Sequence, residues 1–105
     1  MAWAIEYFKE AQKDLAKIDH SQKLQVLKAI EKVSQNPLPD YEGGYGKPLS
    51  NNDTTKLAGY YKIKLLKLGI RIVYGLVKED ERMKIVVISV REDEAVYKLA
   101  DKRIK

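Results

Sequence analysis

The chain has no cysteine among its 105 residues and a single histidine, His20. The first absence excludes disulfides and thiolate metal ligands; the second means that a zinc or iron site would have to be built almost wholly from carboxylates. No metal or other cofactor is therefore expected. No apolar run approaches the ~18 residues of a membrane helix, and Met1-Ala2-Trp3-Ala4-Ile5-Glu6 lacks the basic and apolar regions of a signal peptide. The expected location is the cytoplasm, with no membrane partner. Acidic residues are missing from one whole stretch: none occurs between Asp53 and Glu79, where Lys56, Lys62, Lys64, Lys67, Arg71 and Lys78 all fall.

Hydrophobic residues make up 45% of the chain, ordinary for a globular protein. A chain of this length buries roughly two thirds of its surface without a staple and has room for one core. We expect a single domain, 1–105. The net charge of +5 favours a polyanionic partner without choosing among nucleic acid, acidic protein and anionic membrane.

Residues 2–7 alternate, with Trp3, Ile5 and Tyr7 on one side, which predicts a half-buried strand. From Phe8 the spacing of Phe8, Ala11, Leu15 and Ile18 predicts a helix. Asp19 followed by Gln22 reads as a capping box opening a second helix, with Leu24, Leu27, Ile30 and Val33 as its apolar stripe until Asn36-Pro37. The two helices should form a hairpin with a very short joint. Residues 37–55 hold all three prolines with Gly43, Gly44, Gly46, Asn51 and Asn52, which predicts a long irregular loop. Strands are expected at 56–65, 70–77 and 83–90, joined by turns at 66–69 and 78–81 into an antiparallel meander. Ile85-Val86-Val87-Ile88 is apolar on both sides, as in a strand covered on both faces. The tail from Glu92 reads as a short, marginal helix with a weak apolar face at Ala95 and Leu99.

The fold class expected is α+β: an N-terminal strand and a two-helix hairpin packed on a twisted antiparallel sheet, with a short C-terminal helix. In the strand at 56–65, alternation puts Tyr60, Lys62 and Lys64 on one face and Tyr61, Ile63 and Leu65 on the other. If the apolar set faces the helices, both lysines face solvent or a bound polyanion. Lys9, Lys13 and Lys17 recur every fourth residue along the first helix, a second candidate phosphate-contacting row as well as an ordinary solvated face. His20, at a helix start, is expected to be a surface or capping residue.

The runs Tyr61-Lys62-Ile63-Lys64-Leu65, Gly69-Ile70-Arg71-Ile72-Val73-Tyr74, Val87-Ile88-Ser89-Val90-Arg91-Glu92 and Val96-Tyr97, with Gly46-Lys47-Pro48-Leu49 before them, resemble the RelE family of the RelE/ParE toxin superfamily. The resemblance covers nearly the whole chain. It implies a type II toxin that enters the ribosomal A site and cuts messenger RNA there, held in check by a cognate RelB-like antitoxin.

Carried over by position, it makes Lys62, Lys64 and Arg71 phosphate-contacting and charge-stabilising groups, Lys64 also a candidate base. Arg91 becomes the general acid and Tyr97 the residue that stacks on or deprotonates the nucleotide. Lys9, Lys13, Lys17, Lys56 and Lys67 are the further RNA-binding candidates. The implied reaction is attack of a ribose 2′-hydroxyl on its own 3′ phosphate, giving a 2′,3′-cyclic phosphate and a 5′-hydroxyl end. Its barrier is largely the negative charge gathering on a phosphorane, which several fixed cations are adequate to stabilise. An arginine, whose guanidinium holds its proton tightly, serves such a step mainly by hydrogen bonding and charge. Many RelE-like sequences carry a glycine and another residue between Ser-Val and the arginine, whereas Ser89-Val90 runs directly into Arg91 here. A ParE-like gyrase poison and a catalytically weakened RNA-binding RelE homologue are the alternatives, the first disfavoured by the retained cationic cluster.

Overall fold

The computed structural model describes residues 2–51, 55–90 and 92–105; Asn52, Asp53 and Arg91, named above, lie outside the described residues. The elements are β1 (Ala4–Tyr7), α1 (Lys9–Ala16), α2 (His20–Ser34), β2 (Lys47–Pro48), β3 (Tyr60–Leu65), β4 (Ile70–Val77), β5 (Arg82–Ser89) and α3 (Asp93–Ile104). The five strands form one sheet in the order β1-β5-β4-β3-β2. β2 to β5 pair antiparallel, and β1 joins the edge parallel to β5.

One sheet face is covered by α1 and α2. Ala11, Val26, Ile30 and Val33 pack there against Tyr61, Ile63, Ile72, Tyr74 and Ile85, each aliphatic contributing about 1.5–3 kcal/mol by leaving water. Of the expected stripe on α2, Ile30 and Val33 are buried, but Leu24 and Leu27 are 50% and 37% exposed and Val26 takes their place. At about 100° per residue, a ladder of threes drifts around the helix by about 60° per step, whereas the 4-then-3 spacing of Val26, Ile30 and Val33 stays within one narrow arc. Asp19 is the N-cap as expected, yet the capping box does not form: the Asp19 carboxylate accepts from Ser21 Oγ at 2.6 Å and makes no bond to a helix amide.

The other face is covered by α3, which corrects the expectation of a weak, marginal helix. It buries Val96 and Ala100 completely against Leu57, Val73, Val86 and Val87. A bulge makes this possible. Val73 faces Val87 but Tyr74 faces Ile85, so Val86 is an extra residue in β5 and points with Val87 to the α3 side. The doubly apolar run is thus covered above and below.

β1 pairs only with residues 82–85, so β5 runs on past it with an open edge. Side chains close that edge. Asp14 accepts from the Ile88 amide at 3.1 Å, and Arg103 Nη1 donates to the Val86 carbonyl at 2.9 Å.

Within the expected loop, a 3-10 turn at Asp40–Glu42, a bridge from Pro39 to Gly46 and the short β2 give local order. The segment is held to the core by Tyr74, whose buried hydroxyl donates to the Pro37 carbonyl at 2.9 Å.

Candidate functional site

The β3–β4 hairpin sets the site. Its register places Lys64 directly opposite Arg71, and Lys62 opposite Val73. Because side chains alternate, Tyr60, Lys62, Lys64 and Arg71 all project to the α3 side, away from α1 and α2. Two like charges directly opposite one another on a sheet repel. The chain answers this from α3.

Asp93, in the first turn of α3, lies between the two cations. Lys64 Nζ donates to its Oδ2 at 2.6 Å, and Arg71 Nε donates to its Oδ1. Arg71 Nη1 also reaches the Gly69 carbonyl at 3.3 Å. The hydrogen bond from Lys64 holds the Asp93 carboxyl below the usual aspartate range, with Arg71 adding to it against partial burial. All three side chains keep partial access to water, at 30%, 24% and 37% exposure for Lys64, Arg71 and Asp93. The lysines thus face away from α1 and α2, as alternation led us to expect, but α3 lies over their side of the sheet and Asp93 supplies an anion there.

Tyr97 follows Asp93 by one helical turn and so shares its face. Its ring stands 6.0 Å from Lys62 Nζ, within cation–π range, while its hydroxyl is buried with no hydrogen-bond partner among the described residues. Burial, and the Asp93 charge after it, push the phenol above its ordinary value, offset in part by Lys64 and Arg71. Near neutral pH the phenol is protonated. Tyr60 completes the face; its ring lies over Gly75, where an added Cβ would stand 2.6 Å from Tyr60 Cε2.

Lys62, Lys64, Arg71 and Tyr97 are thus brought together. Lys67 is exposed in the β3–β4 turn, beyond Lys64. Lys56 lies toward the other end of α3, its backbone amide donating to Asp101 Oδ1 at 3.0 Å. Lys9 and Lys13 are exposed on α1, in the layer that covers the opposite sheet face. Lys17 borders a groove of about 420 Å³ with Asp14, Ser89, Val90 and Arg103, at the end of β5 that leads into residue 91. His20 is exposed at the start of α2. Among the described residues no three His, Asp or Glu groups converge as a metal site, and no helix is long and apolar enough to cross a membrane.

Sequence reasoning missed Asp93. The available signal was its place one turn before Tyr97, in the first turn of a helix that directly follows the last strand.

Chemically, the arrangement is two cations from neighbouring strands aimed at one oxyanion, with a third cation and an aromatic ring beside them. Such a seat fits a phosphodiester as well as a carboxylate.

No family model matches the chain. It is 31% identical over 106 residues, 99% of each chain, to the mRNA interferase toxin RelE of Escherichia coli strain K12. Among solved structures, a double arginine-to-alanine variant of E. coli toxin RelE in the free state superposes with a TM-score of 0.77 and 26% identity over the whole of both chains. The same variant in complex with a peptide of the antitoxin RelBc superposes with a TM-score of 0.71, again at 26% identity and full coverage of both chains.

Proposed function

The chain belongs to the RelE family of toxins, and accordingly we propose that it is a metal-independent endoribonuclease, the toxin of a type II toxin–antitoxin pair, which cuts messenger RNA in the ribosomal A site. The observation that carries this reading is the convergence of Lys64 and Arg71 on a single anion, with Lys62 and Tyr97 beside them.

In the proposed reaction the scissile phosphate takes the oxyanion seat between Lys64 and Arg71, and Lys62 adds charge at its flank. As the 2′-oxygen attacks, charge builds on the nonbridging phosphate oxygens; fixed cations already aimed at them stabilise that charge without reorganising. Tyr97 acts through its ring, stacking on a base and fixing the nucleotide for in-line attack. Its protonated phenol is poorly suited to removing the 2′ proton. Arg91 is assigned the leaving 5′-oxygen from the resemblance; where Lys64 serves as the candidate base it enters the step as the neutral amine, takes the 2′ proton and so becomes the cation that faces the phosphorane. Lys9, Lys13, Lys17, Lys56 and Lys67 are proposed to meet ribosomal or messenger phosphates.

The partner proposed is a RelB-like antitoxin, consistent with the relative that was solved with a RelBc peptide. An acidic segment suits the +5 chain electrostatically. The proposed location is the cytoplasm, where messenger and ribosomes are.

The test is to add the purified protein to programmed ribosomes and map messenger ends. Cuts at the A-site codon are expected, and Lys64→Ala or Arg71→Ala should each slow them by about 10²–10³. Absence of cuts, together with stabilised gyrase–DNA cleavage complexes, would overturn the reading in favour of a gyrase poison.

A further inference from the structure

Asp93 sits where the proposed substrate must sit. Its two carboxylate oxygens engage Lys64 and Arg71 simultaneously, the geometry expected of a bound phosphodiester presenting two nonbridging oxygens. We propose that Asp93 is a built-in competitor for the RNA phosphate: its carboxylate occupies the anion seat of the resting protein, and substrate gains the seat only by displacing it. This rests on the reading of the site as one that takes RNA.

Three features support displacement over a permanent structural bond. First, the ion pairs are partly exposed, so each contributes little net stabilisation and can be exchanged for a polyanion. Second, α3 is anchored by fully buried Val96 and Ala100, beyond Asp93, so rotation of one side chain opens the seat while Tyr97 stays in place. Third, Arg71 has a second tie, from Nη1 to the Gly69 carbonyl, which keeps the guanidinium aimed when the carboxylate leaves.

The consequence is a threshold. Only molecules whose carboxylate has swung away bind RNA, so the apparent affinity is the intrinsic one reduced by that fraction. A ribosome, which holds messenger close to the site at high effective concentration, overcomes such a competitor more readily than free RNA does.

The neighbouring Glu94 supplies the control. It is 76% exposed and pairs with Lys98 at 3.3 Å, so Glu94→Gln removes the same charge from the same helical turn without touching Lys64 or Arg71. The probe is a fully 2′-O-methylated RNA oligonucleotide, which cannot be cut, followed by fluorescence anisotropy at fixed ionic strength. Asp93→Asn should bind it about ten-fold more tightly than the parent, corresponding to a competent fraction of about a tenth. Asp93→Ala should reproduce the gain, Lys64→Ala added to Asp93→Asn should abolish it, and Glu94→Gln should change affinity by no more than about two-fold.

Equal gains in Asp93→Asn and Glu94→Gln would reduce the effect to general charge and overturn the proposal. Unchanged or weaker binding in both Asp93 variants, with melting temperatures confirming that they are folded, would make Asp93 a positioning residue and overturn it as well. The two readings fail separately. Tighter binding without cuts on programmed ribosomes leaves the competitor intact and removes the nuclease; cuts without any gain in affinity do the reverse.

Discussion

The Asp14 carboxylate and the Arg103 guanidinium meet across the open edge of β5, with Nη1–Oδ2 at 2.7 Å and Nη2–Oδ1 at 3.1 Å. The pair stands in for the strand that β1 is too short to supply: the same two side chains satisfy the Ile88 amide and the Val86 carbonyl. It also ties the first helix to the last, and hence to the helix that carries Asp93 and Tyr97.

Removing either member should be costly. The side chains are only 17% and 12% exposed, so a lone survivor is a poorly solvated charge beside an orphaned backbone group. Asp14→Ala and Arg103→Ala should each lower unfolding free energy by about 3 kcal/mol in urea titrations. The double variant should lose clearly less than the sum, because the second change removes a group already stranded by the first.

Tyr97 separates ring from hydroxyl. Its hydroxyl is buried without a partner among the described residues, so Tyr97→Phe should leave stability unchanged or raise it by up to about 1 kcal/mol. Since burial keeps the phenol protonated near neutral pH, the same variant should retain messenger cleavage to within about ten-fold. Tyr97→Ala, which deletes the stacking surface, should lose substantially more. Equal losses in the two would return a proton-transfer role to the hydroxyl.

Asp93 makes stability depend on pH in a definite direction. Its folded pKa lies below the ordinary value of 3.8, chiefly through the Lys64 hydrogen bond. A depressed carboxylate contributes stability that is fully present above that value and disappears as pH falls through the folded one. The stability difference between the parent and Asp93→Asn should therefore be constant from neutral pH down to about 5 and shrink below about 4. Thermal melts across that range read it directly; a difference that grows on acidification would contradict the Lys64–Asp93–Arg71 arrangement.

Gly46 is a packing requirement of the segment between α2 and β2. A Cβ there would lie 2.6 Å from Tyr74 Oη and 2.9 Å from both the Leu38 and Pro37 carbonyl oxygens. Two of those neighbours are backbone and cannot swing aside. Gly46→Ala should cost about 2–4 kcal/mol, whereas Tyr74→Phe, which removes only the bond to Pro37, should cost about 1–2 kcal/mol. Neither change touches the anion seat, so cleavage should fall only in proportion to the folded fraction.

Much of the frame was legible from local patterns. β4 spans the expected residues, Ile70–Val77, because alternating apolar side chains between two turns define a strand without outside help. The opposite orientation of Lys62 and Lys64 to Tyr61 and Ile63 followed from the same alternation. Counting leucines at threes misplaces the α2 stripe because it ignores the drift of the helix, and the reading of α3 as weak came from setting its apolar face on Ala95 and Leu99, one residue short of the fully buried Val96 and Ala100. The resemblance points to Lys64, Arg71 and Tyr97 but not to Asp93, whose one local signal, its place a turn before Tyr97, does not by itself separate it from a solvated helix-start carboxylate.

Sequence alone determined which way the side chains of β3 and β4 point from their strands, because the strand period is a property of a few adjacent residues. That was enough to put the cations on one face of the sheet. Their meeting with Asp93, 29 residues from Lys64 and 22 from Arg71, was decided by tertiary structure, through the hairpin register and the seating of Val96 and Ala100 on Val73, Val86 and Val87. Electrostatic contact depends on ångström distances between elements, and those are set by how the buried side chains of two layers fit, which no local period encodes.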